Sequence, residues 1–194
     1  MNISVLSLRP TQFALGMREV ETKVSHLMSL THEDLQKYLE AHRVPVVAAS
    51  GGEFYLIDHH HLARACWESG IMEVKAEKKA DLSHLGERDF WKQLQVEGWI
   101  YLHDQFGKGP HAPELLPFDV KGMADDPFRS LAWELRQAKG YTKVDRPFSE
   151  FRWADFLRKH ITIHPSRLGL SQALKLAMEL CHHPEAKSLP GYLP

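Results

Sequence analysis

Residues 58–64 read Asp58-His59-His60-His61-Leu62-Ala63-Arg64 and follow directly on the apolar run Phe54-Tyr55-Leu56-Ile57. One carboxylate, three imidazoles and a guanidinium thus meet where a buried strand would turn into a helix. The first amides of a helix have no intrahelical acceptor and carry partial positive charge, so basic side chains on that turn build a receptor for phosphate. His60 and Arg64 are four apart and share a helix face, and a guanidinium grips phosphate in bidentate fashion. We therefore expect phosphate to be bound by His59, His60, His61 and Arg64. Asp58, at the strand end, has three open roles: capping the helix, orienting a histidine, or holding a magnesium ion that bridges phosphates.

Each residue also has a plainer reading. Adjacent residues on a helix or strand point apart, so the three imidazoles should not converge on one metal ion, and zinc prefers spaced ligands, often with a thiolate; we expect no metal site. The histidines could instead be core or capping groups, and Arg64 could simply pair with Glu68 one turn on. Glu19 and Lys23 are one helical turn apart after Gly16. Glu19 there could serve as a general base in phosphoryl transfer, with Lys23 and Arg9 as further phosphate ligands, or Glu19 and Lys23 could be an ordinary exposed pair. Trp133, Trp153, Phe148 and Phe151 stand at helical spacing and read as core rather than as nucleobase platforms.

The elements that must position these residues follow from patterning. Residues 3–8 alternate as a strand ended by Arg9-Pro10, and Thr31 caps a helix carrying Leu35, Tyr38 and Leu39. Residues 44–49 are a β-branched run turned back by Ser50-Gly51-Gly52 into residues 53–57, a hairpin. Leu62, Ala65 and Cys66 mark a short helix that Gly70 ends in left-handed conformation, and residues 72–78 alternate as a half-exposed strand. Beyond residue 85 the pattern becomes helical. Asp126 caps a helix with Pro127 at its first position, Pro147 opens another, and Ser171 caps a last one. We expect an α+β domain over residues 1–85 and a helical extension packed on it over residues 86–194.

The 194 residues carry a net charge of −1, with nine basic against eleven acidic residues up to position 85 and fifteen against fourteen after it. Neither half has the basic footprint of a duplex-binding domain, and no helix-turn-helix is evident. Cys66 and Cys181 lie far apart without CxxC spacing and read as buried thiols of a reducing compartment. No apolar run approaches the length of a membrane span, and the first fifteen residues lack a signal-peptide core, so we expect a cytoplasmic protein.

The order of these features resembles the ParB/sulfiredoxin superfamily. The closest group is the putative ParB-like nuclease family, which this chain is similar to in Leu8-Arg9-Pro10-Thr11-Gln12, Gly16, Val20, Lys23, Asp58 and His60-His61. Downstream it is similar in residues 126–133 and 150–158. The resemblance implies a small mixed sheet with helices, followed by a helical layer. It also implies a nucleotide, ATP or ADP with Mg2+, bound at the 58–64 turn, and phosphoryl transfer or phosphodiester cleavage with Asp58, His60 and Glu19 as catalytic residues. The substrate would be a small molecule or nucleic acid. A kinase acting on free serine and a non-catalytic nucleotide- or DNA-binding module are the alternatives the superfamily offers. Two departures matter. The glycine that usually follows the aspartate of this turn is His59, whose β-carbon restricts close approach of backbone to phosphate, and sulfiredoxin's cysteine is missing, which argues against sulfinic-acid reduction.

Overall fold

A computed structural model describes residues 1–164 and 168–194. In chain order the elements are β1 (Asn2–Ser4), β2 (Leu8–Pro10), β3 (Ala14–Leu15), α1 (Met17–Ser29), α2 (His32–Ala41), β4 (Val44–Ala48), β5 (Phe54–Leu56), α3 (His60–Glu68), β6 (Glu73–Asp81), α4 (Glu87–Val96), β7 (Ala124–Asp125), α5 (Pro127–Gln137), α6 (Ser149–His160) and α7 (Gly169–Leu180). The class is α+β, with a mixed sheet early in the chain and helices late, as the sequence implies. The chain forms two compact units, one of Met1–Leu15 with Val20–Ala124 and one of Gly16–Glu19 with Asp125–Pro194.

The sheet of the first unit has the order β1-β6-β4-β5-β2. β1 runs antiparallel to β6, β6 parallel to β4, β4 antiparallel to β5, and β5 parallel to β2. The expected single strand over residues 3–8 is instead two strands at opposite edges, split by a 3-10 turn at Val5–Ser7. This split dictates a curled sheet. Four residue steps from Ser4 to Leu8 reach at most about 14 Å, whereas flat strands four spacings apart would sit about 19 Å from each other. The edges must therefore bend towards one another, and Val5 and Leu8 at this junction are fully buried. Pro10 is tolerated because β2 is an edge strand and its missing N–H costs no ladder bond.

The 44–57 hairpin forms as expected, with Val47 opposite Tyr55, and Gly51 and Gly52 take positive φ in its turn. Thr31 accepts the Asp34 N–H as a cap of α2, and Gly70, at φ 74°, ends α3. The units do not divide at residue 85. Phe90 and Leu94 of α4, with Ile100 and Leu102, pack on Val47 and Tyr55 in one apolar cluster, so residues 86–124 belong to the first unit.

In the second unit Asp126 caps α5 by accepting the Phe128 N–H, with Pro127 at the first helical position. α6 starts at Ser149 rather than at Pro147, after Phe148 in left-handed conformation. Ser171 is not a cap either, since α7 begins two residues earlier. Leu131, Leu135, Trp153, Leu157, Ala173 and Ala177 form the shared core. Trp153 is fully buried, stacked on Tyr141 at 4.4 Å, and donates from Nε1 to the Pro190 carbonyl at 2.7 Å. The first turn of α1 belongs here. A β-carbon on Gly16 would lie 2.6 Å from Ser130 N and 2.9 Å from Arg129 C, so only glycine lets this backbone lie against the start of α5.

Candidate functional site

Residues 58–64 form the strand-to-helix junction between β5 and α3, inside the first unit. The helix cap is His59, not Asp58, and its backbone is left-handed, with φ 62° and ψ 26°. Histidine visits this region several-fold more often than most residues, though at a cost that glycine avoids. The geometry that glycine supplies elsewhere is thus kept without a glycine. A left-handed residue followed by a helical one curls successive N–H groups into a concave nest suited to anions. The His59 side chain makes no capping bond, and no acidic residue lies in the first turn of α3. The Asp58 carboxylate instead accepts the His59 N–H at 2.7 Å and remains exposed.

The three histidines go different ways. His60 is buried, and its Nε2 accepts the Thr11 N–H at 3.2 Å. Because a backbone N–H can only donate, Nε2 must hold a lone pair, and the hydrogen-bond network assigns His60 the Nδ1–H tautomer. Thr11 is fixed in turn by donating from Oγ1 to the Leu56 carbonyl at 2.8 Å. His60 therefore ties β2's exit to the β5–α3 junction, and its Nε2 faces a backbone donor rather than an anion.

His59 is half-buried, and burial is the largest influence holding its imidazole below the ordinary histidine range; Lys23 and His42 push the same way, against Asp58 and a backbone bond at Arg43. The Arg43 bond favours the protonated ring, so it is one the ring donates. The other nitrogen, Nδ1, is buried without a hydrogen-bond partner. Burial thus disfavours the charged imidazole at the turn, and Lys23 is close enough to add to that effect. His61 is half-buried on the same first turn. Among the described residues no group of three or more His, Cys, Asp or Glu side chains has the geometry of a metal site.

Arg64 follows the plainer reading, its pair with Glu68, rather than that of a phosphate ligand. Its Nη1 donates to the carbonyls of Val120, Lys121 and Met123 at 3.1, 3.0 and 3.2 Å. Its Nε pairs with Glu68 at 2.9 Å. Arg64 thus staples the turn at Val120–Gly122 to α3, and these donors are not offered to a ligand. Arg9, next to Tyr55 in register, lies over the Phe118 ring at 4.1 Å and reaches Glu53 at 3.5 Å, with Nη1 buried and unpartnered. Glu19 belongs to the second unit with Tyr141, Arg129, Arg136 and Glu150, whereas Asp58, His59, Lys23 and Arg9 belong to the first.

One group in the first unit escapes sequence reading. Asp104 accepts the Phe106 and Lys108 N–H groups at 2.9 Å each and the His111 imidazole at 3.1 Å. Burial pushes its carboxyl up, but these bonds outweigh it and hold the group below the ordinary aspartate range. The His111 ring stands edge-on to Phe13 at 5.4 Å. The seven-residue spacing of Asp104 and His111 has no motif value; only the loop closure brings them together.

The model of the putative ParB-like nuclease family matches residues 1–159. The crystal structure of protein Atu1540 from Agrobacterium tumefaciens is similar at 41% identity and TM-score 0.88, covering 100% of this chain and 97% of that one. No curated protein matches. With the curled sheet, the Leu8–Pro10 strand and the 58–64 junction all inside the matched span, the chain belongs to the putative ParB-like nuclease family.

Proposed function

We propose that the 58–62 turn binds the phosphates of a nucleotide or nucleic-acid strand and that the protein catalyses phosphodiester cleavage or phosphoryl transfer there. The observation that carries this reading is the left-handed His59 ahead of α3, whose cap residue makes no side-chain capping bond. Backbone amides fixed in this way meet phosphate without reorganisation, and phosphoryl transfer depends mainly on such positioning and on charge neutralisation. Lys23 supplies a nearby cation. His59, whose charged form burial disfavours, holds the left-handed backbone of the turn, with its Nδ1 enclosed rather than offered to substrate, and the proton of the attacking water or hydroxyl would pass to solvent or to the leaving oxygen as the bond to that oxygen breaks. Asp58 is exposed with one oxygen on the His59 N–H, which fits the single carboxylate by which Mg2+ with a nucleotide is commonly held. The ion would add charge neutralisation.

Asp58→Asn tests this. Asparagine can still accept the His59 N–H, so the fold and Tm should survive, while turnover of ATP, single-stranded DNA or duplex DNA falls about a hundredfold or more, the order expected when a positioned charge leaves such a site. Wild-type turnover in the variant would move the chemistry away from this turn. Nucleotide binding without turnover in the wild type would make the protein a binding module.

A further inference from the structure

Arg129, the third residue of α5, lies in the 126–133 segment that none of the chemistry above uses. Its side chain is 5% exposed. Nε and Nη1 are buried without any acceptor, which leaves three N–H groups of a permanently charged side chain unpaired. Its polar contact is from Nη2 to Glu150 at 3.5 Å, the outer limit of a hydrogen bond. Glu150 is held more closely by Arg136. Asp126 is committed to the Phe128 N–H and to Arg158. The Phe151 ring lies 3.5 Å from the guanidinium, and the backbone at 129–130 is pinned by its contact with Gly16. Burying a charge with most of its donors unmet is costly, and here the neighbouring carboxylates are engaged elsewhere.

We propose that Arg129 anchors a tetrahedral-oxyanion site, of the phosphate class, within the second unit. Nη2 is loosely held and shares an edge of the planar guanidinium with a neighbouring nitrogen, so an oxyanion replacing Glu150 there meets two parallel N–H groups, and phosphate, with more charge and more acceptor oxygens than a carboxylate, compensates the buried cation better. The amino-terminal turn of α5 adds favourable partial charge. An incoming phosphate displaces the Glu150 carboxylate, which stays with Arg136. This inference does not rest on the reading of the 58–62 turn.

The test is thermal unfolding of the full chain in chloride at fixed ionic strength, titrated with inorganic phosphate and, separately, acetate. Above its Kd, one site raises the folding equilibrium constant tenfold per tenfold rise in phosphate. Arg129→Met should lose one site's worth of this response, in the wild-type and the His59→Asn backgrounds alike, and Arg129→Lys should keep a weaker one. Without phosphate, Arg129→Met should be at least as stable as wild type, because an uncompensated charge is removed while Glu150 keeps Arg136. Equal phosphate responses in wild type and Arg129→Met, an equal response to acetate, or a variant that is destabilised or unfolded without phosphate would each overturn the proposal.

Discussion

Replacing Arg64 separates a structural staple from a phosphate anchor. Arg64→Met keeps the apolar stem and removes the guanidinium. Nη1 has two hydrogens shared among the Val120, Lys121 and Met123 carbonyls, so two bonds are lost rather than three. A hydrogen bond from a charged group contributes about 1.5–3 kcal/mol, and part of this region is solvated, so the lower value applies to each. The Glu68 pair one turn away adds about 0.3–0.5 kcal/mol. The expected loss is about 3 kcal/mol, or a fall in Tm of roughly 10 °C for a unit of this size. Urea unfolding gives the first figure and calorimetry the second. Titration of the folded variant with ATP and Mg2+ should give a Kd within about twofold of wild type. A loss below about 1 kcal/mol, or intact stability with affinity down tenfold, would refute the staple and make Arg64 the anchor.

Gly16→Ala drives a β-carbon into backbone at 2.6–3.0 Å and should cost about 2 kcal/mol, the usual scale of overpacking, measured by denaturant unfolding. His59 titrates below its unfolded value near 6.5; the unfolded chain therefore takes up its proton first, and the stability tied to this ring is present above pH 6.5 and lost as pH falls from there towards the folded pKa. His59→Asn, which tolerates left-handed backbone, should flatten the dependence of Tm on pH below 6.5; parallel profiles would contradict it. Burial pushes the Cys66 thiol up to about 12, so iodoacetamide at pH 8 should label it only after unfolding, with rapid native labelling as the contrary result.

Local features were legible in the sequence because local chemistry determines them. Thr31, Asp126 and Gly70 act where their residue types predict, a β-branched run and its Gly-Gly turn placed β4 and β5, and alternation placed β6. What patterning cannot show is which edge a strand joins. Residues 3–8 alternate acceptably as one strand, yet the curled sheet needs both ends of that segment on different edges. The same limit governs the site. The 58–64 turn was visible because a strand signal runs into a helix signal, but the commitment of His60 to Thr11 spans 49 residues and that of Arg64 to the Val120 carbonyl 56. No spacing rule reports such partners. His59 was readable as a departure from glycine; that it would keep glycine's conformation became evident only from the backbone.

The central claim is that phosphate sits in the nest at the start of α3. Amide resonances of the full chain, titrated with ATP and Mg2+, test it directly. Saturable shifts at the backbone N–H groups of His60, His61 and Leu62, reduced in His59→Pro, which cannot take the left-handed backbone, are the result this account predicts. Shifts confined to other segments, or none at millimolar nucleotide on the scale of weak binding, would contradict it.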